Sequence, residues 1–142
     1  IMAELKESME APPRGIAGQD HAIVFLYAYP RDPRPDEPGA AWIADAQAQR
    51  ACLRAAETAV VVANYIRLLG HDATAHTGAA ADIDLSRLAV AAGLATVEGG
   101  VLTAPFVGPR FGLAAVTTRF AMTPDRPLAP MARQPRAAIP AE

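Results

Sequence analysis

Few side chains in this sequence combine the type and spacing that catalysis needs. Three histidines and one cysteine are the candidates for a metal site or a nucleophile. His71 and His76 fall in a stretch, His71 to His76, that reads as a short strand. Strand side chains alternate faces, so this odd separation points the two rings oppositely and against joint chelation. His21 precedes another strand and has no evident partner. No CxxC and no HExxH spacing occurs, which leaves zinc chemistry without support. Cys52 lies among alanines in a helical stretch, where a thiol is expected to be a buried, inert packing residue. Neither a Gly-x-Ser-x-Gly elbow nor a glycine loop ending in Lys-Ser/Thr is present. What remains is main-chain chemistry. Residues 88 to 120 contain Gly93, the pair Gly99-Gly100, the proline-flanked bend Pro105 to Pro109 with Gly108, and Gly112. Glycine lets another backbone or a flat ligand come close, and proline makes a bend stiff. On residue pattern alone, the same punctuation also suits a packed α–β connection with two turns.

Within this stretch, Leu88-Ala89-Val90-Ala91-Ala92-Gly93-Leu94, the glycine turn, Leu102-Thr103, Gly108-Pro109-Arg110 and Leu113-Ala114-Ala115-Val116-Thr117-Thr118 follow one another in a fixed order. Together with the upstream Ile66-Arg67-Leu68-Leu69-Gly70, they resemble the corrinoid-binding segment of reductive dehalogenases and the related epoxyqueuosine reductases. The resemblance covers roughly residues 43 to 128. It implies a nitroreductase-like α+β fold of the cobalamin-processing type. In that fold a sheet with packed helices is half of a pseudo-dimer, and corrinoid or flavin sits between modules. It also implies that Gly93, Leu94, Gly99, Gly100, Leu102, Thr103, Gly108 and Arg110 line the cofactor. Arg110 would offer its planar fork to a propionamide or phosphate oxygen, or else take part in a surface ion pair. The sequence departs from the family pattern at two turns. Glu98 puts a negative charge where a cation is usual, and Gly112 stands where an arginine is usual. The family's cluster-binding cysteines are also missing. Four thiolates hold an iron–sulfur cluster, and Cys52 is the single cysteine, so no such cluster is expected in this chain. Tyr27, Tyr29 and Tyr65 do not match the family's proton-donating tyrosine by position, so no catalytic residue is assigned.

The elements that must position this stretch can be read in order. Residues 2 to 10 carry alternating charges and suit a short exposed helix, and 11 to 20 read as a linker. Ala22 to Tyr29 is apolar on both faces and suits an interior strand. Residues 30 to 39 hold four prolines among charges and read as an extended solvated loop. Residues 41 to 69 form the strongest helix, about 43 Å long, which Gly70 is placed to end. Its second half, around Ala59-Val60-Val61-Val62-Ala63, is apolar all round and is expected to be buried on every side. Ala48, Cys52, Ala55, Ala59 and Ala63 form a small-residue stripe, suited to a sheet or to a sister module. Asp82 or Asp84 can cap a helix near 84 to 93. Residues 113 to 120 read as a strand. The expected organisation is an N-terminal segment and linker (1–20), a module (21–122) and a proline-rich arm (123–142).

Length and charge narrow the partners. A chain of 142 residues suits one domain with a core, here built largely of alanine. Net charge is −2 with scattered cations, so neither nucleic acid nor an anionic membrane is an expected partner. No membrane-spanning run or signal peptide is evident, and the lone cysteine suits a reducing compartment, so a cytoplasmic location is expected. The expected partners are a corrinoid and either a second copy or the rest of a reductive dehalogenase. The expected role is to frame or bind cobalamin for reductive carbon–halogen cleavage, with clusters supplied elsewhere. The alternative is a vestigial, non-catalytic structural or dimerisation module of the same ancestry.

Overall fold

Two long strands form the spine of the fold. The computed structural model describes residues 2–4 and 17–128. Strand β1 is Met2–Glu4, β2 is His21–Ala28, β3 is Ala73–His76 and β6 is Phe111–Thr118. They form an antiparallel sheet in the order β1-β2-β6-β3. β2 and β6 pair along their whole length, from His21 opposite Thr118 to Ala28 opposite Phe111. β2 is therefore interior, as its two apolar faces require. Met2–Glu4 pairs with β2 as a strand instead of opening a helix; the rest of the expected helix lies outside the described residues, as do 11–16 of the linker and 129–142 of the arm.

Helix α1 (Ala40–Leu68) crosses one face of the sheet, chiefly over β6. Its Ala55, Ala59, Ala63 and Ile66 pack on Ala114, Val116, Ile23, Phe25 and Tyr27. The opposite face carries Ala22, Val24, Leu26, Leu113 and Ala115 beneath the short helix α2 (Leu85–Ala91). Period-two alternation along β2 and β6 thus supplies two cores, one for each helix. The architecture is α+β, with helices on both faces of a small antiparallel sheet.

Two expectations about α1 are corrected. Its second half is not buried all round: Val61 is 67% and Leu68 84% exposed, and Tyr65 also faces out. One sheet covers one face of a helix, and nothing among the described residues covers the other. The buried stripe also enters the sheet at Ala51, not Cys52, whose side chain is exposed. Successive helical residues differ by about 100°, enough to move a thiol from core to surface.

Helix α2 buries Leu88 and Ala89, with Leu85 partly buried and the C-cap Ala92 buried behind them, the i, i+3, i+4, i+7 positions of a single stripe. Asp84 caps it, accepting hydrogen bonds from the Ser86 and Arg87 amides at 3.0 and 3.1 Å. Asp84→Ala is expected to cost about 1 kcal/mol, read as a lowered urea midpoint with an unchanged slope. After α2 the chain forms a hairpin of β4 (Thr96–Glu98) and β5 (Val101–Thr103).

Candidate functional site

The hairpin turns through Gly99 and Gly100, with φ of 57° and 80°. Two consecutive positive φ values give the turn whose twist matches that of its flanking strands, and glycine takes them without strain. A second reversal follows at once. Ala104 bridges to Gly108, whose amide donates to the Ala104 carbonyl at 2.9 Å. Phe106 sits at the tip of this reversal with φ 65° and a fully exposed ring. A bulky residue in that conformation is strained, and sequence reasoning had no signal for it.

Two open grooves flank these turns. The first, about 510 Å³, runs between α2 and the hairpin and is lined by Ser86, Arg87, Val90, Val97, Gly100 and Leu102. The second, about 450 Å³, lies between the bend and β2, where Leu94, Ala104, Pro105, Val107 and Leu128 face Val24 to Tyr27. The sequence-predicted residues divide between them. Gly100 and Leu102 reach the first groove, with Gly99 beside them at the hairpin tip, and Leu94 reaches the second. Thr103 is half-buried and pairs with Thr96 across the hairpin. Arg110 binds Asp32 of the proline-rich loop in an exposed ion pair. Arg87, Val90 and Val97 were missed. For Arg87 and Val90 the signal was the exposed side of α2, opposite its leucine stripe; Val97, in the three-residue strand β4, had none.

The glycines fall into two physical classes. A Cβ placed on Gly99, Gly100 or Gly108 would meet nothing within 4 Å, so these main-chain surfaces face open space. A Cβ on Gly93 would lie 2.3 Å from the Pro127 Cβ, so that surface is covered by the chain's own arm. Gly112 is likewise filled, by the α1 backbone at Ala51 and Cys52.

The histidines do not converge. His71 lies outside β3 and packs on the Phe120 ring, with centroids 4.6 Å apart. His76 is only 1% exposed, on the α2 side of the sheet. Its Nδ1 accepts the Asp82 amide at 3.3 Å, which leaves Nε2 to donate to Thr117 Oγ1 at 2.8 Å. Thr117 in turn donates to Gln19 Oε1 at 2.6 Å. Burial holds the His76 pKa below its ordinary value, against a smaller upward pull from Asp82. The arrangement is a satisfied core network, closed to ligands. Among the described residues no group of three or more His, Cys, Asp or Glu could hold a metal ion, and no helix is long and apolar enough to cross a membrane.

No protein family model and no curated protein matches the chain. Solved structures do. A reductive dehalogenase whose structure suggests a mechanism for B12-dependent dehalogenation is 42% identical, with a TM-score of 0.76. The match covers 91% of this chain and 18% of that one. The catabolic reductive dehalogenase NpRdhA, N-terminally tagged, gives 41% identity and a TM-score of 0.73 over the same shares. Its complex with 3-bromo-4-hydroxybenzoic acid gives 42% and 0.76. The chain therefore spans under a fifth of the length of the structures it matches.

Proposed function

Because the chain is a relative of the reductive dehalogenases, we propose that it is a nitroreductase-like module of such an enzyme, one half of a pseudo-dimer, which offers a wall to cobalamin. The observation that carries this reading is the open main chain at Gly99, Gly100 and Gly108, where a Cβ would meet nothing within 4 Å. Gly99 and Gly100, held at positive φ at the hairpin tip, present main chain without side chains beside an apolar groove, and Gly108 does the same on the next turn, which suits the edge of a large flat ring. The described residues fit one side of such a ring: Val90, Val97 and Leu102 supply apolar contact, and Arg87 a planar cation. Neither groove encloses a corrin, so the opposite wall belongs to the rest of an enzyme or to a second module. When bound, the corrinoid would supply through its cobalt the electron transfer of reductive carbon–halogen cleavage. The iron–sulfur clusters and the proton donor would come from outside this chain.

A titration with hydroxocobalamin followed by visible absorption tests the reading. A saturable spectral shift is expected, weakened about tenfold by Gly99→Val/Gly100→Val, a loss of roughly 1.4 kcal/mol. The absence of any shift at high micromolar corrinoid would overturn it.

One feature favours a second reading, a vestigial docking module. The outward band of α1, with Leu53, Val61, Tyr65 and Leu68, is too apolar to be ordinary solvent-facing helix. Glu98 at the hairpin, in place of the family's cation, weakens affinity for anionic groups of a cofactor. A corrinoid-blind chain that self-associates would establish this reading in place of the first.

A further inference from the structure

We propose that residues 121–128 form an intramolecular strap that covers Gly93 with Pro127, walls one side of the second groove with Leu128, and widens that groove when it lifts. The inference goes beyond the functional reading above, which rests on the first groove and its open glycines, whereas Leu94 lines the second groove.

Gly93 and Pro127 are complementary in shape. Its φ is 68°, and the position a side chain would occupy is filled by Pro127, 2.3 Å from the Cβ and 2.8 Å from the Cα of the proline. Glycine at this position therefore serves two purposes. It ends α2, where its amide donates to the Val90 carbonyl at 2.9 Å, and it leaves a seat that the pyrrolidine fills. Leu128 comes next in the chain. It lines the groove together with Leu94, Ala104, Pro105 and Val107.

The strap belongs to no strand or helix, and between Ala121 and Leu128 every side chain but Met122 is exposed. Pro124 and Pro127 have no amide to donate. A segment outside the sheet ladders, with its side chains exposed, opens at lower cost than the body beneath it. Two prolines also limit the freedom gained on release. The result is a side wall that can lift from the groove without unfolding β6, which ends at Thr118.

Leu128→Asp and Pro127→Gly in the full chain test the strap, with Val101→Asp, an exposed change on the hairpin outside both grooves, as the control. Two readouts are followed: amide hydrogen exchange at Leu94, Ala95 and Val107, and fluorescence of the apolar dye anilinonaphthalene sulfonate. Both arm variants are expected to raise exchange at these amides and dye fluorescence at least threefold, with thermal midpoints close to the parent and the control unchanged. Exchange and dye binding that match the parent in both variants would overturn the strap. So would an equal rise in the control. Neither readout involves a corrinoid, so the strap and the cobalamin reading fail separately.

Discussion

Gly112→Ala is expected to lower stability by about 2–3 kcal/mol, as overpacking against an unyielding neighbour does. The added methyl would lie 2.6 Å from the Cys52 amide nitrogen, 2.7 Å from the Ala51 carbonyl carbon and 2.9 Å from its oxygen. All three atoms are main chain in the middle of α1, so no rotamer change relieves the contact. β6 or the helix must move, and α1 rests on β6 more than on any other strand. Two other glycines separate this steric cost from backbone strain. Gly100→Ala meets no atom but is forced into positive φ, at a cost of about 1 kcal/mol. Gly78→Ala meets neither obstacle, and its chain entropy change leaves stability unchanged or slightly raised. Urea unfolding of the three variants checks the order. Equal midpoints for Gly112→Ala and Gly78→Ala would show that α1 does not sit as closely on β6 as described.

The same residue shows how far the sequence could be read. Gly112 looked like an arginine lost from a family turn; in three dimensions it is the point where a strand and a helix touch through their backbones. Close approach depends on residues 60 positions apart in sequence (Cys52 and Gly112), which no local pattern displays. Long periodic elements were legible because their signal is local: α1 and β2 run within a residue of their expected bounds, β6 begins and ends two residues before its expected range, and of the two aspartates offered as a cap Asp84 serves. The hairpin strand Thr96–Glu98 was not, since three residues carry no measurable alternation. The outward face of α1 was misread because hydrophobicity reports what a helix prefers to cover, not what this stretch of chain can cover. The candidate surface was legible as glycines, but its sorting was not. Only the fold shows that Gly93 and Gly112 are filled from within while Gly99, Gly100 and Gly108 stand open.

His76→Ala is expected to cost about 2–4 kcal/mol and, with it, to remove an acid sensitivity from the fold. The ring is buried, and its loss leaves a cavity in which the Asp82 amide has lost its acceptor and the Thr117 hydroxyl, still donating to Gln19, has lost the donor it accepts from. The pH effect follows from the hydrogen bonds. Nδ1 can accept the Asp82 amide only while the imidazole is neutral, and burial opposes the charged form more than the Asp82 carboxylate favours it. The folded pKa therefore lies below the 6.5 of the free side chain, and the unfolded chain binds the extra proton first. Stability from this group is complete above pH 6.5 and falls as the pH drops from there through the lowered folded value. Protonation would release the Asp82 amide, and with it the turn that leads into α2 and one side of the first groove. Urea midpoints at pH 8 and pH 5 check the sign: the parent should lose stability on acidification, and His76→Gln, which can donate and accept without titrating, should lose less. A parent midpoint that rises on acidification, or an identical loss in His76→Gln, would place the acid sensitivity elsewhere.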